Sequence, residues 1–139
     1  MNRFEFRSIR PEETQQAIEI EQICFPPNEA CSPKSLTERI KATAETFLVA
    51  EDKETGKLAA FLNGVPTDEE AFRDEFFTDI SLSNPEGKNI MLLGLDVRPE
   101  YRMQGLGRDL NFLFFKTYGL LRGANTFPTS RIFYYMKIS

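Results

Sequence analysis

The chain has 139 residues, a net charge of −4 and an apolar content of 41%, which suits one domain whose hydrophobic core needs no metal or disulfide. The negative charge argues against nonspecific binding to nucleic acid, and no apolar run reaches the roughly 18 residues that span a bilayer. With no histidine and only Cys24 and Cys31, no metal site is expected, and both cysteines read as small, partly buried residues.

From Met1 to Arg7 charged and apolar residues alternate, unlike the continuous apolar stretch of a signal peptide; a cytoplasmic location is expected. Phe4 to Ile9 reads as a first strand, with Phe4 and Phe6 on one face. Arg10-Pro11-Glu12-Glu13 opens a helix, since proline suits the first turn and acids suit the positive end of the helix dipole. Ala17, Ile20 and Cys24 recur at helical spacing until Phe25-Pro26-Pro27 stops the helix. Ser32 then caps a second helix with Pro33 at its first position and Leu36 and Ile40 on its apolar stripe.

Phe47 to Ala50 is a short strand, Glu51 to Lys57 a hairpin turn, and Leu58 to Val65 the return strand. Asp68 to Phe77 is polar with spaced phenylalanines and reads as a helix or an ordered loop. Asn84-Pro85-Glu86-Gly87 is a turn. Ile90 to Val97 is a continuous apolar run, as in a central strand buried on both faces. A helix is expected from about Gly105 to Leu121, with Leu106, Leu110, Leu113 and Thr117 or Tyr118 on one side. Arg131 to Ile138 completes the order β-α-α-β-β-(α)-β-α-β, a mixed α/β domain.

The informative stretch follows the central strand: Leu95-Asp96-Val97-Arg98-Pro99-Glu100-Tyr101-Arg102-Met103-Gln104-Gly105-Leu106-Gly107-Arg108. Gly105 and Gly107 let backbone approach a ligand without a Cβ in the way. Free amides at the helix start, aided by the dipole, suit a phosphate or pyrophosphate, and Arg102 and Arg108 can add charge-assisted contacts. A Walker loop would need Gly-Lys-Ser/Thr, and a dinucleotide fingerprint would need a small residue where Leu110 stands. The plainest alternative is a glycine turn that binds nothing.

Arg102-x-x-Gly105-x-Gly107, set behind a strand ending in Leu-Asp-Val, resembles the R/Q-x-x-G-x-G/A signature of the GNAT superfamily of N-acetyltransferases. Cys24-Phe25-Pro26-Pro27-Asn28-Glu29-Ala30, Phe47-Leu48-Val49-Ala50-Glu51 and Ala60-Phe61-Leu62-Asn63-Gly64 are similar to its arylalkylamine (serotonin-type) branch. The likeness runs from about Phe4 to Asp109. It implies a GNAT-type acyl-CoA N-acyltransferase fold: a mixed, mostly antiparallel sheet flanked by helices in a single domain, 1–139, with incomplete C-terminal strands. It implies acetyl-CoA as cosubstrate. Leu95, Asp96 and Val97 would pair with the pantetheine arm, and Met103, Gln104, Gly105, Leu106, Gly107 and Arg108 would hold the pyrophosphate beside Arg102. The thioester would sit where the central strand splays at Gly94 and Leu95, and Phe25 to Ser32 would cover a small-molecule amine.

The implied reaction is direct attack of a neutral primary amine on the thioester, which needs a base, since such amines have a pKa near 10. The animal enzymes of this branch use histidines where this chain has Met91 and Leu93. Asp96 or Glu29, acting through water, are the carboxylates available, and the plainer reading of each is a solvated surface acid. The family's acid is a tyrosine in a late Phe-Tyr-x-x-x-Gly-Phe segment. Phe133-Tyr134 stands near the expected distance, making Tyr134 the candidate, although no Gly-Phe follows.

All 21 acids lie at or before Asp109, and the stretch 110–139 holds eight aromatic residues and four bases. Reading from the third base of the Tyr134 codon forces Leu, then Tyr or His, then Glu, then Asn or Asp, similar to the family's Tyr-Glu-Asn/Lys ending. A frameshift near residues 109 to 116 is therefore expected to have replaced the family-like C-terminal third. A sheet lacking its last strands leaves an edge open to pairing, so a homodimer is expected. The rival functions are a CoA-binding module without catalysis and an inactive, truncated acetyltransferase.

Overall fold

The computed structural model describes residues 2–119, 133–134 and 137–138, with backbone only at 118–119 and in the last two pairs. Strands β1 (Phe4–Ser8), β2 (Phe47–Asp52), β3 (Leu58–Thr67) and β4 (Asn89–Val97) form an antiparallel meander in the order β1-β2-β3-β4. Between β1 and β2 lie α1 (Thr14–Cys24) and α2 (Pro33–Thr43). The expected Ser32 cap forms: its side chain accepts a hydrogen bond from the Ser35 N–H, with Pro33 at the first helical position. The 68–88 segment is an ordered loop with short 3-10 turns at Asp74–Phe77 and Ile80–Leu82. Its Phe76 packs with Val65, Met91 and Leu93.

Helix α3 (Leu106–Phe114) follows β4 and continues as a π-helical turn, Phe115–Gly119. The expected end at Leu121 lies outside the described residues. Its buried stripe is Leu106, Leu110 and Phe114, so Phe114 takes the place expected of Leu113, which is only partly buried. The cause is Gly64 on β3, where a Cβ would stand 2.5 Å from Phe114 Cζ. The missing side chain leaves room for the ring.

The sheet separates two larger cores. Leu48, Ala60, Leu62, Ile90, Leu92 and Leu95 face α3, while Phe47, Val49, Leu58 and Phe61 face α1 and α2 through Ile20, Leu36 and Ile40. β4 is buried on both faces, as its unbroken apolar run predicts.

On its outer edge β4 pairs in parallel with two short strands, β5 (Phe133–Tyr134) at Ile90 and Met91 and β6 (Lys137–Ile138) at Gly94 and Leu95. The open splay expected at Gly94 and Leu95 is therefore not found: a backbone from the same chain occupies that edge. No described helix is long and apolar enough to cross a membrane.

Candidate functional site

The site is built on the C-terminal half of β4 and the turn into α3. Opposite β3, Asn63 pairs with Gly94 but Gly64 pairs with Leu92, so Leu93 is an extra residue in β4. Such a bulge bends a strand and re-aims its side chains. Beyond it, Asp96 pairs with Phe61 and shares Phe61's face, toward α1 and α2. Asp96 is fully buried, which corrects its reading as a solvated surface carboxylate.

The end of β4 is pinned from several directions. Arg98 is buried; its N–H donates to the Ala59 carbonyl at 2.9 Å, its Nε to the Leu58 carbonyl at 3.0 Å and its Nη2 to Glu19 Oε1 at 2.7 Å. Pro99–Tyr101 forms one 3-10 turn, and the Tyr101 hydroxyl donates to Asp52 Oδ2. Asp52 also takes a two-pronged contact from Arg3, at 3.0 and 2.8 Å. The Arg3 hydrogen bond, then that of Tyr101, holds the Asp52 carboxyl well below the usual carboxylate range. This positioning set was not singled out from the sequence; a charged residue followed by Pro-x-Tyr behind a buried strand was its only trace.

Next comes the glycine turn. Met103 (φ 65°) and Gly105 (φ 80°) both adopt left-handed backbone, and the Met103 side chain is fully exposed. For Met103 this conformation costs energy. The turn leads directly into the first turn of α3, with Gly105 as the helix N-cap. The Asp109 N–H closes the first helical bond, to the Gly105 carbonyl at 3.0 Å. The N–H groups of residues 103–108 meet no acceptor among the described residues. Free amides at the positive end of a helix suit an anion.

Two guanidinium groups flank the turn differently. Arg108 lies against Gly105: a Cβ there would stand 2.7 Å from Arg108 Nη2. Arg102 folds back to the strand, its Nε donating to the Val97 carbonyl at 3.0 Å and its Nη2 lying 3.7 Å from Cys24 Sγ. Cys24 also donates to that carbonyl, at 3.3 Å. At Gly107 a Cβ would stand 3.3 Å from Leu95 Cδ2, so the second glycine seats the helix start against β4.

The loop from Phe25 to Ser32 lies between two cavities. One, of about 400 Å³, is lined by Gln22, Phe25, Pro27 and Pro33; the other, of about 310 Å³, by Glu29, Ser35, Phe77 and Thr78; Ala30, Cys31 and Ser32 border both. Glu29 is exposed and borders the second cavity. Tyr134 enters only through its backbone, opposite Met91; its side chain lies outside the described residues. The structure thus gathers Leu95, Asp96, Val97 and residues 102–108 into one region.

The family model for the acetyltransferase (GNAT) family matches residues 14–111. The chain belongs to the GNAT family. No curated protein sequence matches this GNAT chain. Among solved structures it is similar to the loading GNATL domain of CurA from Lyngbya majuscula, with a TM-score of 0.76, 19% identity and coverage of 88% of this chain and 61% of that one. It is similar to the GphF GNAT-like decarboxylase in complex with isobutyryl-CoA, with a TM-score of 0.71, 21% identity and coverage of 81% and 57%. A GNAT family acetyltransferase from Brucella melitensis in complex with acetyl-CoA gives a TM-score of 0.54 at 19% identity, with coverage of 88% and 71%. At these identities the likeness is one of fold. This GNAT chain spans about three fifths of the length of the first two.

Proposed function

We propose that the chain binds acetyl-CoA and transfers its acetyl group to the primary amine of a small molecule. The observation that carries the reading is the run of backbone N–H groups at 103–108, set between the end of a buried strand and a helix start. Its donors would take the pyrophosphate, with Arg108 adding charge. Asp96 and Val97, beyond the two residues that β6 pairs, would meet the pantetheine arm. Arg102, over the Val97 carbonyl, would turn outward as that arm arrives. The Brucella melitensis and GphF structures carry acetyl-CoA and isobutyryl-CoA, and their shared fold supports a CoA thioester here.

For transfer, an amine must lose a proton before its nitrogen attacks the thioester carbon. Asp96, buried on the acceptor side of β4, is the carboxylate placed to take it, through water; Glu29 is the second candidate and Tyr134 the candidate acid for the departing thiolate. The likeness of Phe25 to Ala30 and of Ala60 to Gly64 to the arylalkylamine branch supports an aryl-substituted amine as acceptor. The same reading places the protein in the cytoplasm, as a homodimer paired through a sheet edge.

Calorimetry with acetyl-CoA tests the cofactor half: saturable binding is expected, abolished by Arg102→Ala combined with Gly105→Val. Retained affinity in that variant contradicts the loop assignment. The rival reading, a CoA-binding module without catalysis, draws on Met91 and Leu93 standing where the related enzymes have histidines. Thiol release from acetyl-CoA across a panel of amines separates the two. The family match ends at residue 111, near where the acids stop, which supports a replaced reading frame for the tail. Resequencing the gene beside close relatives tests that idea, and an identical tail in them sinks it.

A further inference from the structure

Arg39 is a charged side chain that the proposed reaction does not use, yet the fold buries it. It lies on α2 and is 3% exposed. Taking a guanidinium out of water costs free energy, and an apolar side chain of similar volume often does as well where only packing is needed. What the fold gains from the cation lies in what its N–H groups hold. Nη2 donates to the Phe77 carbonyl at 2.9 Å, and Nη1 and Nη2 each lie 3.8 Å from Cys31 Sγ. These two partners belong to different loops, far apart in the chain.

Both contacts fall on one cavity. The cavity of about 310 Å³ is lined by three segments: the loop at 29–32, α2 at Ser35, and the turn at Phe77 and Thr78. Arg39, one helical turn beyond Ser35, belongs to the second and touches the other two. Each segment it touches has a second anchor. The Cys31 N–H donates to Glu21 Oε2 at 2.9 Å, and Glu21 is itself buried on α1. Phe76, beside Phe77, packs with Met91 and Leu93 of β4. A flat guanidinium with N–H groups on more than one side can hold two partners at once in a fixed geometry. Arg39 thus joins a loop anchored on α1 to a turn anchored on β4.

We infer that Arg39 is a positioning residue for the acceptor: it ties the loop at 25–32 to the turn at 74–79, so that the cavity between them keeps one width. It acts through Cys31 and Phe77 rather than by touching the amine. The inference rests on the acetyltransferase reading above, in which the loop from Phe25 to Ser32 covers the amine, and adds to it the residue that holds that loop in place. Walls fixed before the acceptor arrives spare its binding the cost of ordering them. The clamp therefore acts on amine binding and not on the chemical step.

The experiment compares the wild type with Arg39→Met, which removes every donor, and Arg39→Lys, which keeps the charge but not the flat donor set. Hydrogen exchange is followed by mass spectrometry on CoA-saturated protein. The Cys31 and Thr78 N–H groups report on the two segments through their bonds to Glu21 Oε2 and the Glu75 carbonyl. In Arg39→Met both segments should exchange about tenfold faster, with β1 and α3 unchanged. With acetyl-CoA and 2-phenylethylamine, the KM for the amine should rise about tenfold, while kcat stays within about threefold and CoA affinity holds. Arg39→Lys should fall between the two, and it carries the same comparison if Arg39→Met does not fold. Faster exchange in one segment alone, or in neither, overturns the inference, and so does an amine KM that does not move. Losses in KM, kcat and CoA affinity together also overturn it, since Arg39 would then only support the fold. Those outcomes leave the acetyltransferase reading standing. A wild type that binds CoA but transfers nothing to the amine overturns that reading and, with it, this one.

Discussion

Tyr101 donates a hydrogen bond to Asp52 Oδ2 at 2.5 Å across 49 residues of sequence, and both side chains are buried. The bond ties the β2–β3 hairpin to the turn that precedes the glycine loop at 103–108. Arg3 grips the same carboxylate and stacks over the Tyr101 ring at 5.6 Å, so the N-terminal segment belongs to the same brace. Tyr101→Phe keeps the ring packing against Phe4 and removes only the hydroxyl. It should lower the thermal midpoint by roughly 3–6 °C, as expected for one charge-assisted hydrogen bond in a domain of this size. Scanning calorimetry reads this directly, and an unchanged midpoint would show that the brace holds nothing.

The brace also fixes how stability depends on pH. In the folded state the Asp52 carboxyl is held low by Arg3 and then by Tyr101, outweighing burial. For Glu13, burial pushes upward, but the Arg7 side chain and the Arg10 N–H bring the net shift down. A carboxyl lowered by folding contributes stability above its unfolded value near 4, and that contribution is lost as pH falls through the folded value. Tyr101 moves the other way: its bond to Asp52, then burial, raises it. Its contribution is present below about pH 10 and lost as pH rises past it. Urea midpoints should therefore fall at both extremes, and the gap between wild type and Asp52→Asn should narrow from pH 7 to pH 3. A gap that stays constant would remove Asp52 from the acid limb.

Which parts were legible beforehand depended on how local their cause is. The cap at Ser32, the hairpin expected at Glu51 to Lys57 (its first two residues join β2) and the Arg102-x-x-Gly105-x-Gly107 turn are set by neighbours a few residues apart, and all three form. Asp96 misled because a single acid usually stays in water; only its register opposite Phe61 buries it. The bulge at Leu93 and the Tyr101–Asp52 bond depend on contacts between residues far apart in the chain, which no periodicity records. The expected gap at Gly94 and Leu95 came from the likeness to a family. In this chain β6 pairs there instead.

The choice of Phe114 over Leu113 for the buried face of α3 gives a packing test. Leu106 to Leu110 fixes the helix phase, but both the third and the fourth residue onward are compatible with it. The notch at Gly64 decides for the larger ring. Phe114→Ala should cost about 3–5 kcal/mol, the range for a buried phenylalanine. Leu113→Ala, at a half-buried position, should cost less than half as much. Denaturant unfolding of the two variants checks the order, and equal losses would mean that the helix presents a different face.

The turn itself offers a pair of substitutions with opposite signs. Met103 holds left-handed backbone with its side chain wholly in solvent, so the side chain adds strain and no packing. Met103→Gly should stabilise the fold by about 1 kcal/mol, the penalty such a backbone imposes on a residue with a Cβ. It should leave CoA affinity within about threefold, because the N–H it supplies is unchanged. Gly105→Ala is the reverse case. Its backbone is equally left-handed, and a Cβ would also press on the Arg108 guanidinium at 2.7 Å. Arg108 is a long and exposed side chain, so it can swing aside, but then it no longer lies against residue 105. The variant should therefore remain folded, with a thermal midpoint a few degrees lower, and bind acetyl-CoA at least tenfold more weakly. Calorimetry on both variants distinguishes a strained turn that merely reverses the chain from one shaped around a ligand. If Gly105→Ala lowers the midpoint and leaves affinity intact, the glycine loop at 103–108 is only a turn.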